Sequence, residues 1–107
     1  MPSEAMQEKI SQLSIMENSL QQFLAQKQQI QSQLLEVESA LEELEKTDTA
    51  FKIVGNIMVA SEKKPLIEDL ERKKELLEIR IKTVEKQEDS LRDKTRTLQE
   101  EVMKEMK

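Results

Sequence analysis

Apolar side chains return along the first part of this chain at alternating steps of three and four. From residue 4 to 46 they fall at Leu13, Met16, Leu20, Phe23, Ile30, Leu34, Val37, Leu41 and Leu44, and Lys27 stands where another apolar residue is due. This is the a/d spacing of a coiled coil, sustained over more than four heptads. The segment holds neither Gly nor Pro and is filled with Gln, Glu, Leu, Ser and Ala, so a single helix over 4–46 is predicted. Upstream, Met6, Ile10 and Leu13 continue the stripe with one residue skipped. That spacing predicts a slip of coiled-coil phase near Leu13 and looser pairing of the first turns.

Residues 65–106 repeat the design. Ile67, Leu70, Leu77, Ile81, Val84, Leu91, Leu98 and Val102 keep the three-four step, with Lys74, Glu88 and Thr95 as polar members of the same stripe. Pro65 suits the first turn of this helix, where its missing N–H has no intrahelical acceptor to lose. Each helix runs to about 40 residues, hence about 60 Å. An isolated helix with one apolar stripe is not stable in water, so each needs a partner. The simplest is the other helix, folded back antiparallel. Seam residues meet seam residues when paired positions add to 114 or 115, as for Val37 with Leu77, Ile30 with Val84 and Phe23 with Leu91. The same register sets Lys27 opposite Glu88. Either the two pair in one layer and fix the register, or both side chains reach out to water.

Between the helices the period changes to that of strands. FKIVGNIMVA, residues 51–60, places the only glycine of the chain between two short β-branched runs. Gly55-Asn56 is a two-residue turn signal of type II′, whose first position needs φ > 0. The implied hairpin, over 50–61, pairs Val54 with Ile57, Ile53 with Met58, Lys52 with Val59 and Phe51 with Ala60. Phe51, Ile53, Met58 and Ala60 then share one face, and Val54, Ile57 and Val59 the other. Two apolar faces exceed what a plain connector needs, and an isolated hairpin is marginal in water with both edges open. This hairpin is expected to join strands of other subunits; the alternative is a β-arm folded onto its own helices.

Composition removes several classes of function. The chain is a single domain over 1–107, with 36% hydrophobic and 36% charged residues and only two aromatics, which suits a long seam better than a compact core. It has neither Cys nor His, so no disulfide or thiolate metal site is available, and no catalytic triad or dyad built on those residues. Its carboxylates fall on solvated helix faces without a pocket, and no glycine-rich phosphate loop is present. An enzyme is therefore not expected, nor is any cofactor. The net charge is −5, with eight acidic residues against three basic ones from Glu4 to Lys46, and the later bases are interleaved with acids. That pattern describes ion-paired helix faces rather than a phosphate-tracking surface. No run approaches the length of a membrane span, and the start of the chain has no secretory pattern, so a cytoplasmic protein is expected.

The order of a Gln-rich heptad helix, an F-K-x-V-G-N-I-x-V hairpin and a second heptad helix carrying V-E-K-Q-E resembles the β class of prefoldin subunits, of archaeal type. The residues that carry the likeness are Phe51, Lys52, Val54, Gly55, Asn56, Ile57 and Val59, the stretches 26–34 and 40–46, and Val84 to Glu88. A single hairpin, rather than two, marks the β class. Phe51 stands where the family often has Tyr, and Pro65 is an unusual start for the second helix. The resemblance implies a mainly α fold, an antiparallel two-helix coiled coil whose inserted hairpin builds β-barrels between subunits of an α2β4 hexamer. The implied activity is ATP-independent capture of unfolded polypeptides and their delivery to a group II chaperonin.

In that family clients are held by apolar residues near the free ends of the coils. Met1, Met6, Ile10, Ile15 and Met16 here, with Val102, Met103 and Met106, supply suitable chemistry, since Met is flexible and polarizable. For Leu13, Met16, Leu98 and Val102, seam packing is the main role expected; Ile15, Met103 and Met106 lie off the stripe and are the better candidates for client contact. A structural spacer or adaptor would account for the heptads and leave the two-faced hairpin unexplained.

Overall fold

The computed structural model describes residues 3–106. Helix α1 (Glu4–Lys46), strand β1 (Ala50–Val54), strand β2 (Ile57–Ser61) and helix α2 (Lys63–Met106) follow one another in the chain. The structure divides into two compact units, one built from the segments up to Gln28 and from Lys82 onward, the other from Gln29–Ile81.

In the first unit α1 is started by a side-chain cap. Ser3 Oγ accepts a hydrogen bond from the Met6 amide at 3.2 Å, and the Ser3 carbonyl accepts from Gln7 N at 2.9 Å. The side-chain bond satisfies one of the orphan donors of the first turn, and the bond from Gln7 is the first regular one of the helix. The α1 and α2 segments of this unit run antiparallel, since Lys9 meets Glu105 while Lys27 meets Glu88. Met6, Val84 and Val102 are buried here, together with two polar residues, Glu88 and Thr95. Thr95 turns its hydroxyl back on its own helix, donating to the Leu91 carbonyl at 2.8 Å, and so removes a polar group from the seam without a partner across it.

In the second unit Ile30, Val37, Leu44, Ala50 and Leu77 are buried. Glu38 and Lys74 approach to 4.0 Å across the two helix segments, which also run antiparallel. Thr47 ends α1 with a turn in which its Oγ1 accepts from Thr49 N at 3.3 Å. The strands pair antiparallel with Ala50 opposite Ser61, Phe51 opposite Ala60, Lys52 opposite Val59, Ile53 opposite Met58 and Val54 opposite Ile57. Gly55 has φ of 61°, and Asn56 has no positive φ, the combination a type II′ turn requires. Helix α2 begins at Lys63, two residues before the residue 65 expected from sequence, so Pro65 occupies the third helical position. An N–H there would have no intrahelical acceptor, and the proline costs the helix no bond.

Every stripe position from Leu13 to Leu44 and from Ile67 to Val102 is buried or half-buried. The start of α1 differs from expectation. Met6 is buried, Lys9 is half-buried and Ile10 is exposed. The steps from Met6 to Lys9 to Leu13 to Met16 are three, four and three, so the heptad continues through Lys9 and there is no slip of phase near Leu13. A lysine stem of four methylenes can line a seam while its ammonium reaches water or an acid, which is what lets a cation hold an a/d position.

Candidate functional site

Two features stand apart from the helix seams. The first is the hairpin. Apart from Ala50 at its base, its apolar side chains are exposed on both faces: Phe51, Ile53, Val54, Ile57, Met58 and Val59 all count among the exposed large hydrophobics, with Ile53 at 69%. The outer edge of each strand has no backbone partner among the described residues. Apolar faces and open edges together are what a strand presents to another strand. Nothing lies within 4 Å of the position a Cβ on Gly55 would take, so the demand for glycine there is one of backbone conformation alone.

The second feature is the region where the N-terminal turns of α1 lie beside the C-terminal turns of α2. Ile10, Ile15, Met103 and Met106 are exposed, Met106 at 72%. Met16 is half-buried and, with Leu98, lines an open groove of about 360 Å³. Met6 and Val102 are each only 7% exposed, so these two do not offer a free surface for client contact; both sit in seam phase, where packing hides them. Met1 lies outside the described residues.

Two charged layers cross the seam of this unit. In one, Lys27 Nζ donates to Glu88 Oε1 at 3.0 Å. The Glu88 side chain is 5% exposed and that of Lys27 19%. Arg92 Nη2 lies 3.7 Å from Glu88 Oε2, close enough for ionic attraction but too far for a hydrogen bond, and Oε2 has no hydrogen-bond partner. In the other layer Lys9 donates to Glu105 Oε1 and lies 3.7 Å from Glu101 Oε2. All three side chains are more open here, at 27%, 41% and 52%. The hydrogen bond to Glu105, reinforced by the two carboxylates, holds the Lys9 ammonium above the ordinary lysine pKa. Lys9, Glu101 and Glu105 were not among the residues that sequence singled out. The pairing rule that joins Lys27 to Glu88 also joins Lys9 to Glu105, so the signal was present, masked by the stronger hydrophobicity of Ile10.

No group of three or more acidic residues able to hold a metal ion occurs among the described residues. No helix there is long and apolar enough to cross a membrane.

The sequence profile of the prefoldin subunit family matches residues 7–107. The chain belongs to the prefoldin family, as a β-type subunit. It is 42% identical to the prefoldin subunit beta of Archaeoglobus fulgidus over 88 residues, covering 79% of this chain and 76% of that one. With the corresponding subunit of Pyrobaculum calidifontis it shares 41% over 90 residues, covering 81% and 72%. The crystal structure of the prefoldin beta subunit from Thermococcus strain KS-1 superposes with a TM-score of 0.88 at 31% identity, over 95% of this chain and 92% of that one. The two helices with one two-stranded hairpin between them are thus the fold of a prefoldin β subunit. For this prefoldin chain the hairpin and the exposed Ile and Met side chains become the features a function has to use.

Proposed function

We propose that this chain works in the cytoplasm as a β subunit of an α2β4 prefoldin hexamer, an ATP-independent chaperone. Its hairpin joins those of prefoldin α subunits and other β subunits in β-barrels. Its Ile10, Ile15, Met103 and Met106, with Met16 at the groove beside them, take hold of unfolded polypeptides, which pass to a group II chaperonin. The observation that carries the reading is the clustering of exposed large apolar side chains at the hairpin and at the paired helix ends, against only Leu24, Leu35, Leu76 and Ile79 exposed elsewhere among the described residues. A flexible methionine-rich surface suits a binder of many unrelated apolar segments. Two open strand edges flanked by apolar faces suit joining to like strands.

Assembly and capture are tested separately. Light scattering of the chain alone and mixed with an α-type subunit reads assembly; a defined hexamer formed on mixing supports the proposal, and a homodimer indifferent to the partner sinks it. Aggregation of a chemically unfolded protein, followed by turbidity with the hexamer, reads capture. Removal of residues 1–10 and 102–107 is expected to abolish the suppression, and unchanged suppression would overturn the assignment of the client surface. Adding a group II chaperonin then tests delivery, as recovery of native client.

A further inference from the structure

The same pair of residue types crosses the seam twice at different depths. The Lys27–Glu88 layer is closed, with a carboxylate almost fully buried, whereas the layer of Lys9, Glu101 and Glu105 is open to solvent. Lys9 occupies a heptad position one step inside Met6, and Glu105 lies one step beyond Val102. Met6 and Val102 are the buried apolar residues nearest the two helix ends. Across this layer the helices are held by exposed ion pairs, which are weak and screened by salt. An apolar residue at position 9 would hold them by burial, which salt does not weaken.

We propose that Lys9 with Glu101 and Glu105 is a salt-sensitive latch that sets whether Met6 and Val102 are hidden in the seam or presented. Closed, as in this structure, it leaves Ile10, Ile15, Met103 and Met106 as the apolar surface. Opened, it adds Met6 and Val102 to that surface and frees the last turns of α2 to follow the shape of a bound segment. The Lys27–Glu88 layer, beyond Leu13, Met16, Leu20 and Phe23 along the seam, limits the opening, because separating it would strand a buried carboxylate that already has one unpartnered oxygen. The latch rests on the client-capture reading, though its movement can be measured without any client.

Amide hydrogen exchange by mass spectrometry on the full chain, in peptides covering 3–13 and 98–106, reads the latch. It is compared in wild type, Lys9→Glu and Lys9→Leu at roughly 0.01 M and about 1 M salt, between which the Debye length shortens from about 30 Å to about 3 Å. Wild-type exchange in these peptides is expected to rise about two- to fivefold with salt, the size an exposed ion pair permits. Lys9→Glu should exchange fast at low salt and gain nothing from more; Lys9→Leu should exchange slowly at both. Amides around Leu77 serve as the internal control and should not change. Indistinguishable exchange in the three chains at both salts would overturn the latch. Suppression of aggregation, measured on the assembled chaperone in parallel, separates the two ideas. Exchange that follows the latch while no variant captures client leaves the latch standing and removes its purpose; capture without any latch response does the reverse.

Discussion

The seam and the hairpin use the same apolar residue types and treat them in opposite ways. Along the seams Ile30, Val37, Leu44, Leu77 and Val84 are buried, while in the hairpin Phe51, Ile53, Val54, Ile57 and Met58 stand in solvent. Helix bonds satisfy the backbone along the seams, whereas the β1–β2 ladder satisfies only the inner edges of the hairpin. The difference is one of shape. A helix has a single apolar stripe that one neighbouring helix can cover, whereas a two-stranded ribbon has two faces and two edges, more than one chain of this kind can cover. Folding is therefore finished within the chain at the seam and left unfinished at the hairpin.

The largest effect that would break this contrast is expected at Gly55. Gly55→Val forces a β-branched residue to φ near 61°, a strain of about 1–3 kcal/mol at the turn, and should abolish hexamer formation while far-UV circular dichroism keeps its helical signal. Unchanged oligomer mass in this variant would show that the hairpin is dispensable for assembly. Ile53→Lys sharpens the same point from the side chain. Its residue is solvent-exposed in the single chain, so the stability of the unassembled subunit should move by no more than about 0.5 kcal/mol, yet the hexamer should fail to form by light scattering.

In the seam the order of effects reverses, with stability falling before assembly. Leu77→Ala removes a side chain only 4% exposed and should cost about 3 kcal/mol in urea unfolding. Lys27→Met leaves the Glu88 carboxylate buried with only the ionic attraction of Arg92 and no hydrogen bond from it, and a loss of about 2 kcal/mol is expected, largely restored when Glu88→Leu is added. A double-mutant cycle that shows no coupling would mean the pair does not act as a unit and does not set the register. The smallest effect concerns Lys9. Its folded-state pKa is raised by Glu105 first and by both carboxylates together, so its contribution to stability is complete below the ordinary lysine value and is lost as pH rises through the raised one. Thermal melts should accordingly show a small alkaline loss in wild type that Lys9→Arg lacks, since arginine keeps its charge there.

Most of the fold was legible in the sequence because both of its patterns are local. The three-four step marks a seam wherever it occurs, and the Gly-Asn pair between two β-branched runs fixes a register residue by residue, from Val54 opposite Ile57 out to Phe51 opposite Ala60. The start of α1 was misread where hydrophobicity and phase disagreed. Ile10 is the more apolar residue, but Lys9 keeps the heptad and finds Glu105, and a long side chain with a charged tip satisfies the seam better than the rule of apolar positions allows. Met6 fails as a client contact for the same reason, since a list of apolar residues near the helix ends does not say which of them the seam takes; for Val102, also a candidate there, the seam packing expected as its main role is what the structure has. Which residues would cover the hairpin is not legible, because on the proposed assembly they belong to other chains.

The two unpaired edges of that hairpin have a consequence for how subunits are supplied. In the language of polymer chemistry such a chain is a bifunctional monomer: it can add a neighbour on either side, and growth ends only when the ends meet in a ring or when a chain of another kind closes them. Which of these happens depends on strand twist and on the ratio of partners present. On the proposed assembly, a cell making this chain alone would make a reactive intermediate, and the stoichiometry of its partners would turn that intermediate into a product of fixed size.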